Sequence, residues 1–320
     1  MSTITPDDGL YVPPVAATKS VPPQAWLLLA FLAIVWGSMW PLIKLAVSEI
    51  PLMTLRASSA YIGATILFGV AAAMGHSLKP ARGEIGRMIL CSIFLITLWL
   101  ILSATALSVL PAGRTALLAY TMPFFALVLG VLFFRETASR GRLIGVGLGL
   151  AAVAVLSGDA LADLNGAAAR IGIPAVLGAA LTWAIGSKLQ IAFRFSIPLT
   201  VANGWMMMIG GIPIVGLALY LDGGQWIDTV SAPALAAAFA VAVMSQALGF
   251  LAWTTLLKIT DIAFASIAIL VVPITSLGFS FVFLGEVLDT RDMIGMALLL
   301  LGLATVLPVK SVLRRFLGGR

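Results

Sequence analysis

The stretch ALLAYTMPFFALVLGVLFFRE, residues 116–136, is apolar nearly throughout, yet it carries Pro123 at its middle and ends on Arg135 and Glu136. A second stretch, SIAILVVPITSLGFSFVFLGE at 266–286, again centres on a proline and again ends on Glu. The two align without gaps, so that Pro123 meets Pro273, Leu127 meets Leu277, Phe133 meets Phe283 and Glu136 meets Glu286. The same offset, about 150 residues, goes on to pair Gly145 with Gly295, Leu148 with Leu298 and Ala154 with Ala304. Upstream a slightly shorter offset, about 147, pairs Trp36 with Trp183 and Pro51 with Pro198. Two nearly constant offsets across one chain point to an internal duplication.

Composition says where the duplicated unit resides. Hydrophobic residues make up 61% of the chain and charged ones 10%, whereas a soluble domain needs about 25% charged residues to cover its surface. A bilayer core of roughly 30 Å takes about 20 helical residues to cross, and the sequence offers one such run after another rather than the short alternating segments of a barrel. We read an all-α integral membrane protein of ten transmembrane helices, at roughly 26–48, 52–74, 88–108, 112–134, 141–158, 171–193, 199–221, 232–257, 262–284 and 290–308. The expected organisation is a disordered cytoplasmic tail over 1–25, a first five-helix repeat over 26–158, an external linker at 159–170, a second repeat over 171–308 and a basic cytoplasmic tail at 309–320. The first 25 residues hold Pro6, Pro13, Pro14, Pro22 and Pro23, and no cleaved signal peptide is expected, since Lys19 is the one positive charge ahead of a run long enough to span.

Charge supplies orientation. With the N-terminus inside, Lys79, Arg82 and Arg87, then Arg135, Arg140 and Arg142, then Lys310, Arg314, Arg315 and Arg320 all fall in inner segments. Asp159, Asp163, Asp222, Asp228, Glu286, Asp289 and Asp292 fall on the other side, with Arg170 and Arg291. This is the positive-inside bias, so both termini are expected in the cytoplasm and the chain in a bacterial-type inner membrane. The net charge of +6 then needs no nucleic-acid partner. An odd number of spans per copy puts the second copy in upside down, and an inverted repeat of this kind is the architecture of alternating access.

Pro123 and Pro273 would then kink two equivalent helices and act as hinges, although membrane helices also tolerate proline without a role. A midplane site for a small molecule needs π faces, donors and apolar room. Trp36, Trp99 and Trp183 at mid-span, with Tyr120, offer these, the alternative being bundle core. Trp26 and Trp226 at the edges read as interfacial anchors. Gln246 near the centre of the eighth span should face the bundle, as substrate contact or helix-to-helix hydrogen bond. Lys188 is a further substrate-binding candidate, but like Lys44 it lies close enough to a span end to snorkel. Arg56 and Arg114 read as anchors at the outer ends, and Gly145 with Gly149 as a close-packing face.

The two spans of apolar residues, proline, apolar residues and terminal Glu, each followed by a Gly-rich span, resemble the paired domains of the drug/metabolite transporter superfamily, the EamA-like family. IVWGSMWPLIKLA at 34–46, Arg56 after the PLMTLR turn, and ALSVLPAGRTALL at 106–118 are similar to the family pattern as well. The resemblance runs over roughly 26–308. It implies export of amino acids, amines and other metabolites, or exchange of sugar phosphates and nucleotide sugars, and the tryptophan-rich spans look most similar to the aromatic amino acid exporter branch. Asn203 stands at the aligned place of Arg56, so the arginine has no symmetric counterpart.

No Asp or Glu falls inside a span, which removes the usual proton relay and favours facilitated movement or exchange. With one His and a single Cys91, no metal, cofactor or nucleophile-base pair is expected, and the chain reads as a carrier rather than an enzyme. The expected cargo is a small metabolite, foremost amino acids including aromatic ones. The other readings are a nucleotide-sugar or sugar-phosphate exchanger, which would want several deep cations, and a non-transport structural or signalling membrane protein.

Overall fold

The computed structural model describes residues 21–80, 82–133, 136–158, 162–222, 229–260 and 262–306. The expected basic tail, most of the N-terminal tail, and Arg135, Asp159, Trp226 and Asp228 lie outside the described residues. Among those described, the chain forms ten long helices and no strand. These are α1 (Pro23–Val47), α2 (Leu52–Ala73), α3 (Ile85–Val109), α4 (Ala112–Phe133), α5 (Arg140–Leu156), α6 (Ala168–Phe193), α7 (Leu199–Leu221), α8 (Ala232–Ile259), α9 (Ile262–Leu284) and α10 (Thr290–Val306). By length and composition seven of them, α1 to α4 and α6 to α8, suffice to cross a membrane. Helices α5 and α10 are shorter, at 17 residues each.

Proline sets several of the starts. Pro51, Pro111 and Pro198 adopt φ of −56°, −57° and −52° with extended ψ, and α2, α4 and α7 begin on the next residue. The ring fixes φ and carries no N–H, while the prolyl carbonyl still accepts the first helical hydrogen bond. Those bonds come from Leu55, Thr115 and Ala202, at 3.0, 2.9 and 3.0 Å. None of the three prolines can cap with a side chain, so the free N–H groups of these starts look elsewhere.

Those of α2 and α4 find carboxylates contributed by the other half of the chain. Asp222 Oδ2, just past α7, accepts from Thr54 N–H at 2.6 Å and from its hydroxyl at 2.8 Å. Glu286 accepts from Ala112 N–H at 2.5 Å and Gly113 N–H at 2.9 Å, closing the start of α4. Negative groups at helix N-termini also meet the positive end of the macrodipole. Arg114, one residue on, pairs with Asp289 at 3.0 Å and Asp292 at 2.9 Å. Those two acids cap the first turn of α10 as well, Asp292 N–H donating to Asp289 Oδ1 and Asp289 N–H to Asp292 Oδ2. The reading of Arg114 as a simple end anchor is thereby corrected: it ties α4 to α10.

Helices pack in a pattern that exchanges the two halves. Helix α1 lies against α8 and α9, and its counterpart α6 lies against α3 and α4, so that each helix is matched by the one five places along the chain. Helices α2 and α7 pair with each other, as do α5 and α10. Within both self-related pairs the chains run antiparallel: a Cβ on Gly211 would lie 2.8 Å from the Tyr61 ring, and one on Gly204 2.8 Å from Phe68. In α5 and α10 a Cβ on Gly145 would meet the Gly302 carbonyl at 2.8 Å, and one on Gly302 the Gly145 carbonyl at 2.9 Å. Only glycine permits that backbone approach. Outward faces are apolar, as Leu132, Phe133, Leu219 and Phe281 illustrate, which suits hydrocarbon rather than water.

Candidate functional site

Two of the third helices, α3 and α8, loosen at the same place. Residues Ile93–Leu98 of α3 and Val241–Gly249 of α8 take up the wider π-helical turn, and each segment hands over directly to an aromatic residue, Trp99 and Phe250. Such insertions shift the register of the residues that follow and recur at functional positions. Trp183 of α6 sits between the two rings, 5.0 Å from Trp99 and 6.4 Å from Phe250. Phe250 in turn lies 6.4 Å from Trp36 of α1, which is 5.7 Å from Trp253. At the other end Trp40 meets Trp99 edge-on at 6.3 Å.

The result is a continuous chain of six rings, Trp40, Trp99, Trp183, Phe250, Trp36 and Trp253, drawn from α1, α3, α6 and α8. It brings together three of the expected site residues, Trp36, Trp99 and Trp183. Trp40, Phe250 and Trp253 were missed. Trp40 lies one helical turn past Trp36, and that i, i+4 spacing was a legible signal for the shared face. Gly249 makes room for the chain, since a Cβ there would sit 2.5 Å from Trp36 Nε1.

The polar candidates scatter around it. Gln246 is buried on the π-helical stretch of α8 beside Gly63 of α2, whose added Cβ would meet Gln246 Cβ at 2.9 Å and Met207 Sδ at 3.3 Å. Tyr120 is buried in a break of α4, where Ala112–Ala119 ends and Met122–Phe133 restarts. Pro123 falls in the first turn of the restarted helix, whereas Pro273 lies inside the unbroken α9. The two prolines therefore shape their helices differently. Beside Pro273, Thr275 donates to the Ala33 carbonyl of α1 at 2.8 Å. Lys188 pairs with Glu136 at 2.5 Å. Lys44 donates to the Leu107 and Leu110 carbonyls at 2.5 and 2.9 Å, closing the C-terminus of α3 as a cation does there.

Arg56 departs most from expectation. Placed by sequence at an outer end, it is 2% exposed, and its guanidinium reaches into the bundle to donate to Ser103 Oγ at 3.0 Å. Ser103 stands one turn along α3 from Trp99. Proximity to a helix start had suggested an anchor, but the side chain follows the face of α2 that meets α3, which linear distance from the end does not reveal. Its aligned counterpart Asn203 accepts from Gln190 at 3.0 Å in a neutral pair.

A bundle of apolar helices in two repeated halves, with aromatic rings from both halves in contact and a buried arginine beside them, is the build of a membrane transporter. The chain belongs to the EamA-like transporter family, whose pattern matches twice, over residues 24–158 and 170–307. It is 30% identical over 286 residues to the uncharacterized transporter YvbV of Bacillus subtilis, covering 88% of this chain and 90% of that one. A probable terminal-alkyne amino-acid exporter of Streptantibioticus cattleyicolor is 24% identical over 297 residues, 91% of this chain and 94% of its own. A solved crystal structure that is 19% identical superposes with a TM-score of 0.65 over 92% of this chain and 98% of its own, which shows a shared fold.

Proposed function

We propose that this transporter exports small metabolites across the inner membrane by alternating access, foremost amino acids including aromatic ones. The ring chain carries the reading: Trp36 and Trp99 come from the first half, Trp183 and Phe250 from the second, and they meet between the halves. Aromatic faces at that junction suit apolar and aromatic cargo, and a junction between exchanging halves is where a carrier must hold it. The antiparallel crossing of α2 with α7 and of α5 with α10 supports two inverted five-helix repeats, and the bias of basic residues toward one side of the sequence supports both termini in the cytoplasm. Pro123 and Pro273 serve as the hinges, and Gln246 and Tyr120 border the pathway. The distant exporter from Streptantibioticus favours amino acids over amines. Polyanions such as nucleotide sugars fit less well, because Lys44, Arg114 and Lys188 already hold carbonyls or carboxylates.

The test is uptake of a panel of labelled amino acids into proteoliposomes, with and without a proton gradient. Saturable uptake of phenylalanine, tryptophan or their apolar relatives is expected, and it should persist without the gradient. Uptake no better than protein-free liposomes across the whole panel would overturn the proposal.

A further inference from the structure

We infer that Arg56, with Ser103 and the indole N–H of Trp40, forms a carboxylate-binding subsite at one end of the ring chain, so that the cargo carries an acid group. This rests on the transport reading and narrows it to one chemical class. Among the described residues Arg56 makes no ion pair, and its Nε and the Nε1 of Trp40 are both buried without a hydrogen-bond partner. Trp40 packs on Trp99 and Arg56 bonds to Ser103, so both unpartnered donors border one turn of α3, from Trp99 to Ser103. A guanidinium stays charged in a protein, and holding it inside a membrane bundle without a counter-charge is costly.

The duplicated half needs no charge at this place: Asn203, aligned with Arg56, bonds instead to Gln190 of α6, a neutral pair. What Asn203 cannot supply is a planar fork of donors, which matches a carboxylate in bidentate fashion. A carboxylate placed there would take Nε and a terminal nitrogen of Arg56 and the Trp40 N–H, leaving the apolar body of the cargo to lie along Trp99 and Trp183. Amines without an acid group would meet an unopposed positive charge.

The experiment uses the purified full chain in detergent micelles, titrated by intrinsic tryptophan fluorescence with three probes of similar shape: L-phenylalanine, 3-phenylpropanoate and phenethylamine. The wild type should bind the two carboxylates more tightly than the amine. Arg56→Gln should weaken both carboxylates about ten- to hundredfold, Arg56→Lys less so, and neither should weaken the amine. Arg142→Gln, which removes an exposed charge, should change nothing. The ligand-free melting temperature of Arg56→Gln should stay at or above that of the wild type.

Equal affinity of Arg56→Gln for 3-phenylpropanoate overturns the subsite. So does a wild type that binds neither carboxylate more tightly than the amine. A lower melting temperature with equal losses for all three probes assigns Arg56 to the structure alone and also overturns it. Arg56-dependent carboxylate binding without uptake in liposomes would instead sink the export reading and leave the subsite standing.

Discussion

Ser231 donates its backbone N–H to Glu49 at 2.5 Å, and at the opposite end of the bundle Ser196 donates its backbone N–H to Glu84 at 2.7 Å. The shift of about 147 residues that aligns Trp36 with Trp183 carries Glu49 onto Ser196 and Glu84 onto Ser231. The two ties occupy equivalent places with acid and serine exchanged. Each joins the end of the first hairpin in one half to the segment ahead of the third helix in the other.

The first tie makes a prediction about pH. The Ser231 backbone N–H, and then its hydroxyl, hold the Glu49 carboxyl below the usual carboxylate range. A folded-state pKa below the unfolded one gives stability that is complete above about pH 4 and is lost as pH falls through the lowered value. Melting temperature in detergent should therefore fall more steeply on acidification in the wild type than in Glu49→Gln. The exposed site limits the difference to about 2 °C. Parallel curves would show that the tie contributes nothing.

Arg114 and Asp292 form a better-shielded pair, with side chains 14% and 6% exposed. Arg114→Met leaves Asp292 without its cation and should cost about 3 kcal/mol, whereas Asp292→Leu leaves Arg114 still paired with Asp289 and should cost less. The double variant should cost well under their sum. Chemical unfolding of the four proteins measures the coupling, and additive losses would deny it.

Gly302 and Gly147 offer a contrast between close packing and open space. An added methyl at Gly302 meets backbone at 2.9 Å, while one at Gly147 meets nothing within 4 Å. Gly302→Ala should destabilise by about 1–3 kcal/mol, and Gly147→Ala should be neutral or gain up to about 1 kcal/mol from helix propensity. The same unfolding assay decides it, and equal effects would argue against a tight α5 to α10 seam.

Trp183 bridges rings from both halves, so Trp183→Ala should cut transport at least tenfold while the protein stays inserted and monodisperse. Trp26→Ala, at 44% exposure near the bundle edge, should transport normally. If both variants move cargo alike, the ring chain is packing and nothing more.

Pro123→Ala and Pro273→Ala should shift the balance of inward- and outward-facing states in opposite senses, since the two helices are equivalent but reversed in the proposed architecture. The Pro273 variant should shift further, because its proline interrupts a continuous helix whereas Pro123 occupies a helix start, where the ring costs little. Reactivity of single cysteines placed at each mouth reports the balance. Shifts of the same sense would remove the hinge role.

Helix positions were readable because apolar runs and prolines are local features, and Trp36, Trp99 and Trp183 could be gathered because mid-span depth is a count along the chain. The break at Tyr120 was not readable, since nothing around Pro123 distinguishes a restarted helix from a bent one. Lys188 with Glu136, and Arg114 with Asp289 and Asp292, join residues remote in sequence, and only the three-dimensional packing makes them neighbours. Arg56 failed for a related reason: depth along a helix was legible, but the face on which a side chain emerges depends on which neighbour covers it. The repeat offset held more than was taken from it, for it relates Glu49 and Ser231 to Ser196 and Glu84 directly.

The neutral pairing of Asn203 with Gln190 opposite a solitary Arg56 has a consequence for ancestry. Two identical subunits assembled about a twofold axis must carry every charge twice, so a cargo with a distinct head and tail would meet the same surface at both ends. Joining the copies into one gene frees each from its twin. One copy is then free to carry an arginine where the other carries an amide, and in the proposed carrier the two halves present different faces to the two ends of a cargo.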